Sequence, residues 1–230
     1  MKKHLTVIMI LFFASLSMAQ TVGGSFMIGS LQKDFGKNVD ALGFGFQLHG
    51  TLWSPGKERP FTIGLNGGYL IYGLKTSRRP FSLTIPEVGV DVTTTNSLAN
   101  LHLLMQINPF GGTVQPYIEG LFGGAYIFTT TEIKSDYNNQ HIASTTNYDD
   151  FTWSYGGSAG LLIQLSRDLG DVSVLYLDLK VRYMFGTEAQ YLTEDGIVIN
   201  PANSQVTYLP KKSNTDLLSF HIGVTAYFNR

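Results

Sequence analysis

The chain has 230 residues, 14% of them charged, a formal net charge of −1 and no cysteine. Such a length suits one domain. The missing cysteine excludes a lipoprotein anchor, a disulfide framework and any thiolate metal site, and the near-zero charge leaves no footprint for nucleic acid. Abundant glycine and 13% aromatic residues at so low a charge suit a β-structure whose outer face meets lipid.

The first stretch stands apart. Lys2 and Lys3 form a basic n-region, Leu5 to Leu16 an apolar run, and Ser17-Met18-Ala19 the small residues that a signal peptidase accepts. Residues 1–19 are therefore expected to be a signal peptide, with residues 20–230 as the mature domain. The apolar run is too short for a transmembrane helix.

Two-residue periodicity governs the rest. In the first strand, near Thr21 to Leu31, Val22, Phe26 and Ile28 share one face. From Leu42 to Trp53, Leu42, Phe44, Phe46, Leu48 and Leu52 alternate with Gly43, Gly45, Gln47, His49 and Thr51. From Phe61 to Tyr72, Phe61, Ile63, Leu65, Tyr69 and Ile71 oppose Thr62, Gly64, Asn66, Gly68 and Tyr72. Ala99, Leu101, Leu103, Met105 and Ile107 oppose Asn100, His102 and Gln106 in the fourth strand. The fifth, Tyr117 to Phe128, sets Ile118, Phe122, Tyr126 and Phe128 against Tyr117 and Glu119. The sixth, Phe151 to Leu165, sets Phe151, Trp153, Tyr155, Ala159, Leu161, Ile163 and Leu165 against Thr152, Ser154, Ser158 and Gln164. In Val174 to Phe185, Leu175, Leu177, Leu179, Val181, Tyr183 and Phe185 face out, while Tyr176, Asp178, Lys180 and Arg182 face in. Leu217 to Phe228 closes the set, with Phe220, Ile222, Val224, Ala226 and Phe228 out.

Eight such strands of about 10 to 12 residues match the length that crosses a bilayer at a tilt. The expected fold is all-β: an eight-stranded antiparallel up-and-down transmembrane β-barrel. All eight prolines fall between these segments, as expected of residues that cannot donate to a sheet ladder. The only charges within them are Glu119, Asp178, Lys180 and Arg182, all on the inward parity. A soluble sandwich would carry its charges on the outer face. A ten-stranded wall would have to recruit the segment around Ile197-Val198-Ile199, where Asp195-Gly196 reads as a hairpin turn.

Short connections (Ser54–Pro60, Asn108–Pro116, Arg167–Ser173) alternate with longer ones (Gln32–Ala41, Lys75–Ser97, Thr129–Asp150, Gly186–Asp216). Short periplasmic turns and long extracellular loops have this pattern, so both termini are expected in the periplasm. Val88, Val90 and Val92 continue the alternation into the second long loop, which implies hairpins extending above the membrane. Outward aromatics Tyr69, Tyr126, Phe128, Phe151, Trp153, Tyr155, Tyr183 and Phe185 gather beside the long loops as an expected lipid-facing girdle, with Phe61 and Phe228 at the other rim.

Pro116-Tyr117-Ile118-Glu119-Gly120, Tyr155-Gly156-Gly157-Ser158-Ala159-Gly160, Leu177-Asp178-Leu179-Lys180-Val181-Arg182-Tyr183 and the terminal alternation ending at Phe228 occur in this order along the mature chain. In them the chain resembles the small outer-membrane barrels of the OmpA-transmembrane and OmpX type, particularly the "outer membrane protein beta-barrel domain" family of Bacteroidetes. The resemblance implies a Gram-negative outer-membrane, cell-surface protein. Members usually end on the terminal aromatic, whereas Asn229 and Arg230 follow Phe228 here.

Eight strands enclose just enough room for side chains. The inward charges are expected to pair, Glu119 with Lys180 or Arg182, because an unpaired buried charge is costly. Inward Leu70, Leu104, Leu121, Ile127 and Leu162 fill the interior further. His49, His102 and His221 also face inward, as lumenal hydrogen-bonding groups rather than metal ligands. No nucleophile–base constellation is legible in the sequence, and Asp149-Asp150 reads as a solvated pair. The expected role is structural or surface interaction through the long loops, by a monomer that meets outer-membrane lipid and a protein or glycan ligand, without cofactor or enzymatic activity. A small-solute channel is the alternative, and a lipid-modifying enzyme a weaker one.

Overall fold

A computed structural model describes residues 20–82, 85–135, 141–193, 196–199 and 206–228. Residues 1–19, assigned above to the signal peptide, and the terminal Asn229 and Arg230 lie outside them. Eight strands form the wall: β1 (Thr21–Leu31), β2 (Leu42–Thr51), β3 (Phe61–Ser82), β4 (Ile85–Ile107), β5 (Val114–Ser135), β6 (His141–Leu169), β7 (Val172–Gly186) and, at the C-terminal end, Leu217–Phe228. Each pairs antiparallel with its chain neighbours, and β1 pairs with Leu217–Phe228 from Thr21↔Tyr227 to Leu31↔Leu217, so the sheet closes on itself. Closure leaves no free edge over the length where all eight strands pair. Four short strands lie in the last long connection: β8 (Glu188–Tyr191), β9 (Ile197–Ile199), β10 (Val206–Tyr208) and β11 (Lys211–Asn214). Among the described residues they pair only with one another, β8 with β11 and β9 with β10, outside the eight-stranded wall. The strand Leu217–Phe228 is therefore β12.

The alternation read from the sequence sets which side chains face out. Phe26, Phe44, Phe46, Leu103, Ile118, Trp153, Val181 and Ile222 are exposed on the outer face, Phe26 by 76% and Leu103 by 64%. Glu119, Asp178, Lys180 and Arg182 are buried inside. A polar interior beneath an apolar exterior inverts the soluble arrangement and fits a wall solvated by hydrocarbon.

Several expectations need correction. Strands β3 to β6 run for 22, 23, 22 and 29 residues, so most of Lys75–Ser97 and Thr129–Asp150 is strand rather than loop. Their upper parts carry charges such as Asp91, Glu132 and Lys134, which the shorter segments did not include. Val90 is buried and Val92 half-buried; the side chain of Val88 lies outside the described residues. Pro80, Pro86 and Pro116 fall within strands instead of between them. Pro116 is tolerated because the β4 pairing begins only at Ile107↔Ile118, whereas that of β6 reaches Val114↔Ile163. At Pro116 the strand is an edge with one neighbour, where a missing N–H costs no ladder bond. Of the expected Asp195-Gly196 turn, Asp195 lies outside the described residues; Gly196 N donates to Thr193 O at 2.9 Å, and Ile197–Ile199 pairs with the later Val206–Tyr208 rather than with an earlier strand. The first long connection holds a seven-residue helix, α1 (Lys33–Val39), which the strand periodicity does not announce.

Candidate functional site

The interior of the barrel brings four buried charged groups, Glu119, Asp178, Lys180 and Arg182, onto one another. Its centre is built on β5, β6 and β7. Register places Glu119, Ser158 and Arg182 in one cross-strand row, with Tyr117, Gly160 and Lys180 in the next row of inward positions. The inward positions of β6 are small (Ser154, Gly156, Ser158, Gly160), so side chains from β5 and β7 reach each other over it. Tyr117 occupies the space above Gly160, where a Cβ would stand 2.5 Å from its ring.

Glu119 meets both candidate partners rather than one. Its Oε1 lies 3.2 Å from Lys180 Nζ, and its Oε2 takes Arg182 Nη2 at 2.8 Å and the Ser158 hydroxyl at 2.5 Å. Lys180 also reaches Asp178 at 3.1 Å. Asp178 accepts in addition from the Tyr117 hydroxyl at 2.5 Å and the Thr225 hydroxyl at 3.2 Å. Arg182 Nη1 donates to Asn66 Oδ1 at 3.1 Å, which Gln47 Nε2 shares at 2.5 Å. Two carboxylates and two cations are thus neutralised in one network that crosses from β7 to β2, β3, β5 and β12.

The three histidines flank this network separately. Nε2 of His102 shares a hydrogen bond with the Ser154 hydroxyl at 2.5 Å. Nε2 of His221 does so with the Ser219 hydroxyl at 2.8 Å. The ring of His49 covers Gly23, where a Cβ would fall 2.2 Å from Cε1. No group of three histidine, cysteine or acidic side chains is placed to hold a metal among the described residues.

Apolar layers close the lumen on both sides of the charges. Toward the short turns, Tyr117, Leu162, Tyr176 and Tyr227 pack together, with the Tyr176 and Tyr227 rings 4.9 Å apart. Beneath them Gln115 Nε2 donates to the Tyr176 hydroxyl, and Asn108 Nδ2 to Gln115 Oε1, both at 2.9 Å. Toward the long connections, Met27, Leu70, Leu98, Leu104, Leu121 and Ile127 fill the bore.

Above that layer sits α1, the feature sequence reasoning missed. Phe35 is 0% exposed and makes edge contacts with Tyr72 at 5.5 Å and Tyr191 at 4.6 Å. Asn38 Nδ2 donates to the Tyr191 hydroxyl at 2.8 Å. Lys33 Nζ lies 2.6 Å from the buried Asp216 carboxylate, which also accepts from Gly186 N at 3.2 Å and the Tyr183 hydroxyl at 3.3 Å. The hydrogen bond to Asp216 raises the Lys33 ammonium above its ordinary value. Gly36 allows the helix to close onto β1, since a Cβ there would meet the Leu31 carbonyl oxygen at 2.3 Å. The sequence hint is slight: Phe35 and Val39, four residues apart, within an otherwise polar, glycine-containing connection.

On the outer face the girdle residues form separate runs. Tyr69, Tyr126 and Phe128 make one, with Tyr69–Phe128 at 6.3 Å and Tyr126–Phe128 at 5.4 Å. Phe151 meets Trp153 edge-on at 5.4 Å; Tyr155 stacks on Phe185 at 5.6 Å, and Tyr183 leans on Phe185 at 4.8 Å with the rings tilted by 59°. Asp149 and Asp150, expected to be merely solvated, are both engaged. Asp149 accepts from the Tyr126 hydroxyl at 2.5 Å, and Asp150 from the Phe151 and Gln190 backbone amides at 2.8 Å.

No family model matches the chain, and no curated protein does. Among solved structures it is similar to Ail, the attachment invasion locus protein of Yersinia pestis, in complex with the heparin analogue sucrose octasulfate: 13% identity over 90% of this chain and 96% of that one, TM-score 0.36. It is similar to Neisserial surface protein A at 11% identity over 90% and 96%, TM-score 0.40. A major outer membrane protein from Thermus thermophilus matches at 11% identity over 90% and 99%, TM-score 0.36. These neighbours are small outer-membrane β-barrel proteins.

Proposed function

We propose that this chain is a surface-interaction barrel of the Gram-negative outer membrane, exported by residues 1–19 and anchored with both termini in the periplasm. One observation carries the reading. Strands β3 to β6 continue beyond the pairing of β3 with β2, which stops at Phe44↔Ile71, and of β6 with β7, which stops at Ser154↔Gly186. Above those points they form a projecting four-stranded sheet. Its faces are hydroxyl-rich, with Thr76···Thr93 at 3.1 Å, Thr94···Thr131 at 3.2 Å and Asn147 Nδ2 donating to the Thr131 hydroxyl at 2.5 Å. A bilayer-spanning strand needs about 9–11 residues, so about half of each long strand serves something other than crossing. The polar faces suit a protein or glycan ligand. The girdle and the exposed apolar wall suit lipid as the other partner.

Cysteines at Lys134 and Tyr208 should react with a membrane-impermeant maleimide on intact cells, and one at Lys57 should react only after lysis. Labelling of Lys57→Cys from outside inverts the topology, and protection of Lys134→Cys removes the projecting sheet from the surface. A small-solute channel is disfavoured by the apolar layers on either side of the paired charges. Planar-bilayer recordings of the wild type should show little steady conductance.

A further inference from the structure

The mouth of the barrel holds an apolar cup lined by Leu31, Tyr72, Ala189, Tyr191 and Leu217, and Phe35 of α1 fills it. Two features make this more than a packed end. First, the Tyr72 hydroxyl is buried there and has no hydrogen-bond partner among the described residues, although buried polar groups are almost always satisfied. The Tyr191 hydroxyl, by contrast, is bonded to Asn38 and Ser213. Second, α1 is attached as a strap. Lys33 and Asp40 at its two ends both adopt left-handed backbone, with φ of 54° and 47°, a conformation that non-glycine residues take at a cost. The helix is held by the buried Phe35 ring, by Val39 packed against the same cluster, by the Gln32 N to Asp216 O bond at its start, and by the Lys33–Asp216 pair and the Asn38–Tyr191 bond. Lys33 itself is 58% exposed and lies 5.6 Å over the Phe185 ring of the outer wall.

We propose that this cup is a binding site for a small planar aromatic molecule carrying a hydrogen-bond acceptor, with Phe35 as its intramolecular occupant. When α1 swings out on its two ends, Phe35 leaves, the ligand ring takes its place between the tyrosine edges, and its acceptor receives the Tyr72 hydroxyl. Phe35 supplies a ring but no acceptor for that hydroxyl. The site is separate from the projecting sheet and does not depend on what the sheet binds.

The test uses the full mature chain refolded in detergent micelles, with 4-fluoroacetophenone as the probe, its fluorine followed by NMR and the α1 amides by hydrogen exchange. Wild type should bind saturably, and exchange across residues 33–39 should rise at least tenfold at saturation. A Lys33→Cys/Asp216→Cys variant should lose saturable binding when oxidised and regain it when reduced, which separates binding from partition into the micelle. Phe35→Ala, which removes the competing ring, should bind at least tenfold more tightly than wild type. Tyr72→Phe should bind at least threefold more weakly with unchanged α1 exchange in the free protein. Non-saturable partition alone, unchanged exchange at saturation, oxidised-variant binding equal to wild type, no gain in Phe35→Ala or undiminished binding in Tyr72→Phe each overturns the proposal.

Discussion

Replacing Glu119 by alanine tests whether the lumen is held by its charges. Glu119 accepts from Lys180, Arg182 and Ser158. Its loss leaves Lys180 with Asp178, but leaves Arg182 with only the neutral Asn66 oxygen. Arg182 Nε already lacks a partner. Breaking a buried pair by removing one member costs about 3–5 kcal/mol. Summing three charge-assisted hydrogen bonds at about 1.5–3 kcal/mol each overshoots this, because the remaining partners and admitted water relieve part of the loss. Urea m-values of about 1–3 kcal/mol per molar turn the lower figure into a midpoint shift of about 1 M or more. Fluorescence of Trp53 and Trp153 during urea unfolding in lipid vesicles reads it. The structure also names the compensating change. Glu119→Ala/Arg182→Met leaves Asp178 paired with Lys180 and should recover more than half of the loss. Glu119→Ala/Lys180→Met leaves Arg182 uncompensated and takes the cation from Asp178, so it should recover little. A single variant within about 0.5 kcal/mol of wild type, or better rescue by the Lys180 change, would refute the reasoning.

Leu70→Ala should cost about 2–5 kcal/mol by leaving a cavity in the bore, since Leu70 is fully buried and packs over Gly29 and Gly43; the same urea titration measures it. Gly160→Ala should destabilise by roughly 1–3 kcal/mol through overpacking, because the new Cβ strikes the Tyr117 ring, and near-ultraviolet circular dichroism should show the displaced tyrosine. Leu103→Arg places a charge on the exposed apolar wall and should cost about 2–4 kcal/mol in bilayers; a neutral outcome would argue against lipid there. The Lys33 latch has a sign fixed by its raised pKa: its contribution is complete below the unfolded lysine value and is lost only as pH climbs through the higher folded value. Exchange of the α1 amides, corrected for base catalysis, should therefore stay flat from about pH 7 to about pH 9.

Legibility followed the physics of each segment. Where one face of a strand meets hydrocarbon and the other the lumen, the two-residue period is strong. The inward position of all four charges and the limits of β1 and β12 were readable for that reason. Above the barrel successive positions on both faces carry hydroxyl side chains, so Thr93-Thr94-Thr95 and Thr129-Thr130-Thr131 carry no alternation and the strands read as ending early. Proline misled for a related reason: its exclusion holds for a strand with neighbours on both sides, and Pro116 has one. The helix α1 was illegible because seven residues offer only one pair of apolar positions at helical spacing, Phe35 and Val39, on either side of an internal glycine, too short a stripe to stand out from a polar connection. Parity showed that Glu119 and the two bases share the interior, but only register could show that Glu119 takes both.

The small residues on β6 explain why the network has this shape. Buried ion pairs add little net stability compared with apolar packing of the same volume, so the charges call for a geometric reason. Wall hydrogen bonds join only neighbouring strands. Nothing in them opposes flattening of the ring, which would bring opposite walls together or drive them apart. Glu119 on β5 reaches Arg182 on β7 over the serine and glycine positions of β6. Arg182 then reaches Asn66 on β3, and through it Gln47 on β2. Asp178 ties β7 to Thr225 on β12 and to Tyr117 on β5. Most of these contacts act as cross-braces between strands that do not touch in the sheet. Long, directional, charged side chains can span that distance where leucines would have to fill it completely. Apolar residues then close the bore on either side, and the braces are shielded from water that would weaken them. The charge quartet and its apolar caps therefore depend on each other: the caps keep the pairs dry, and the pairs hold the wall round enough for the caps to fit.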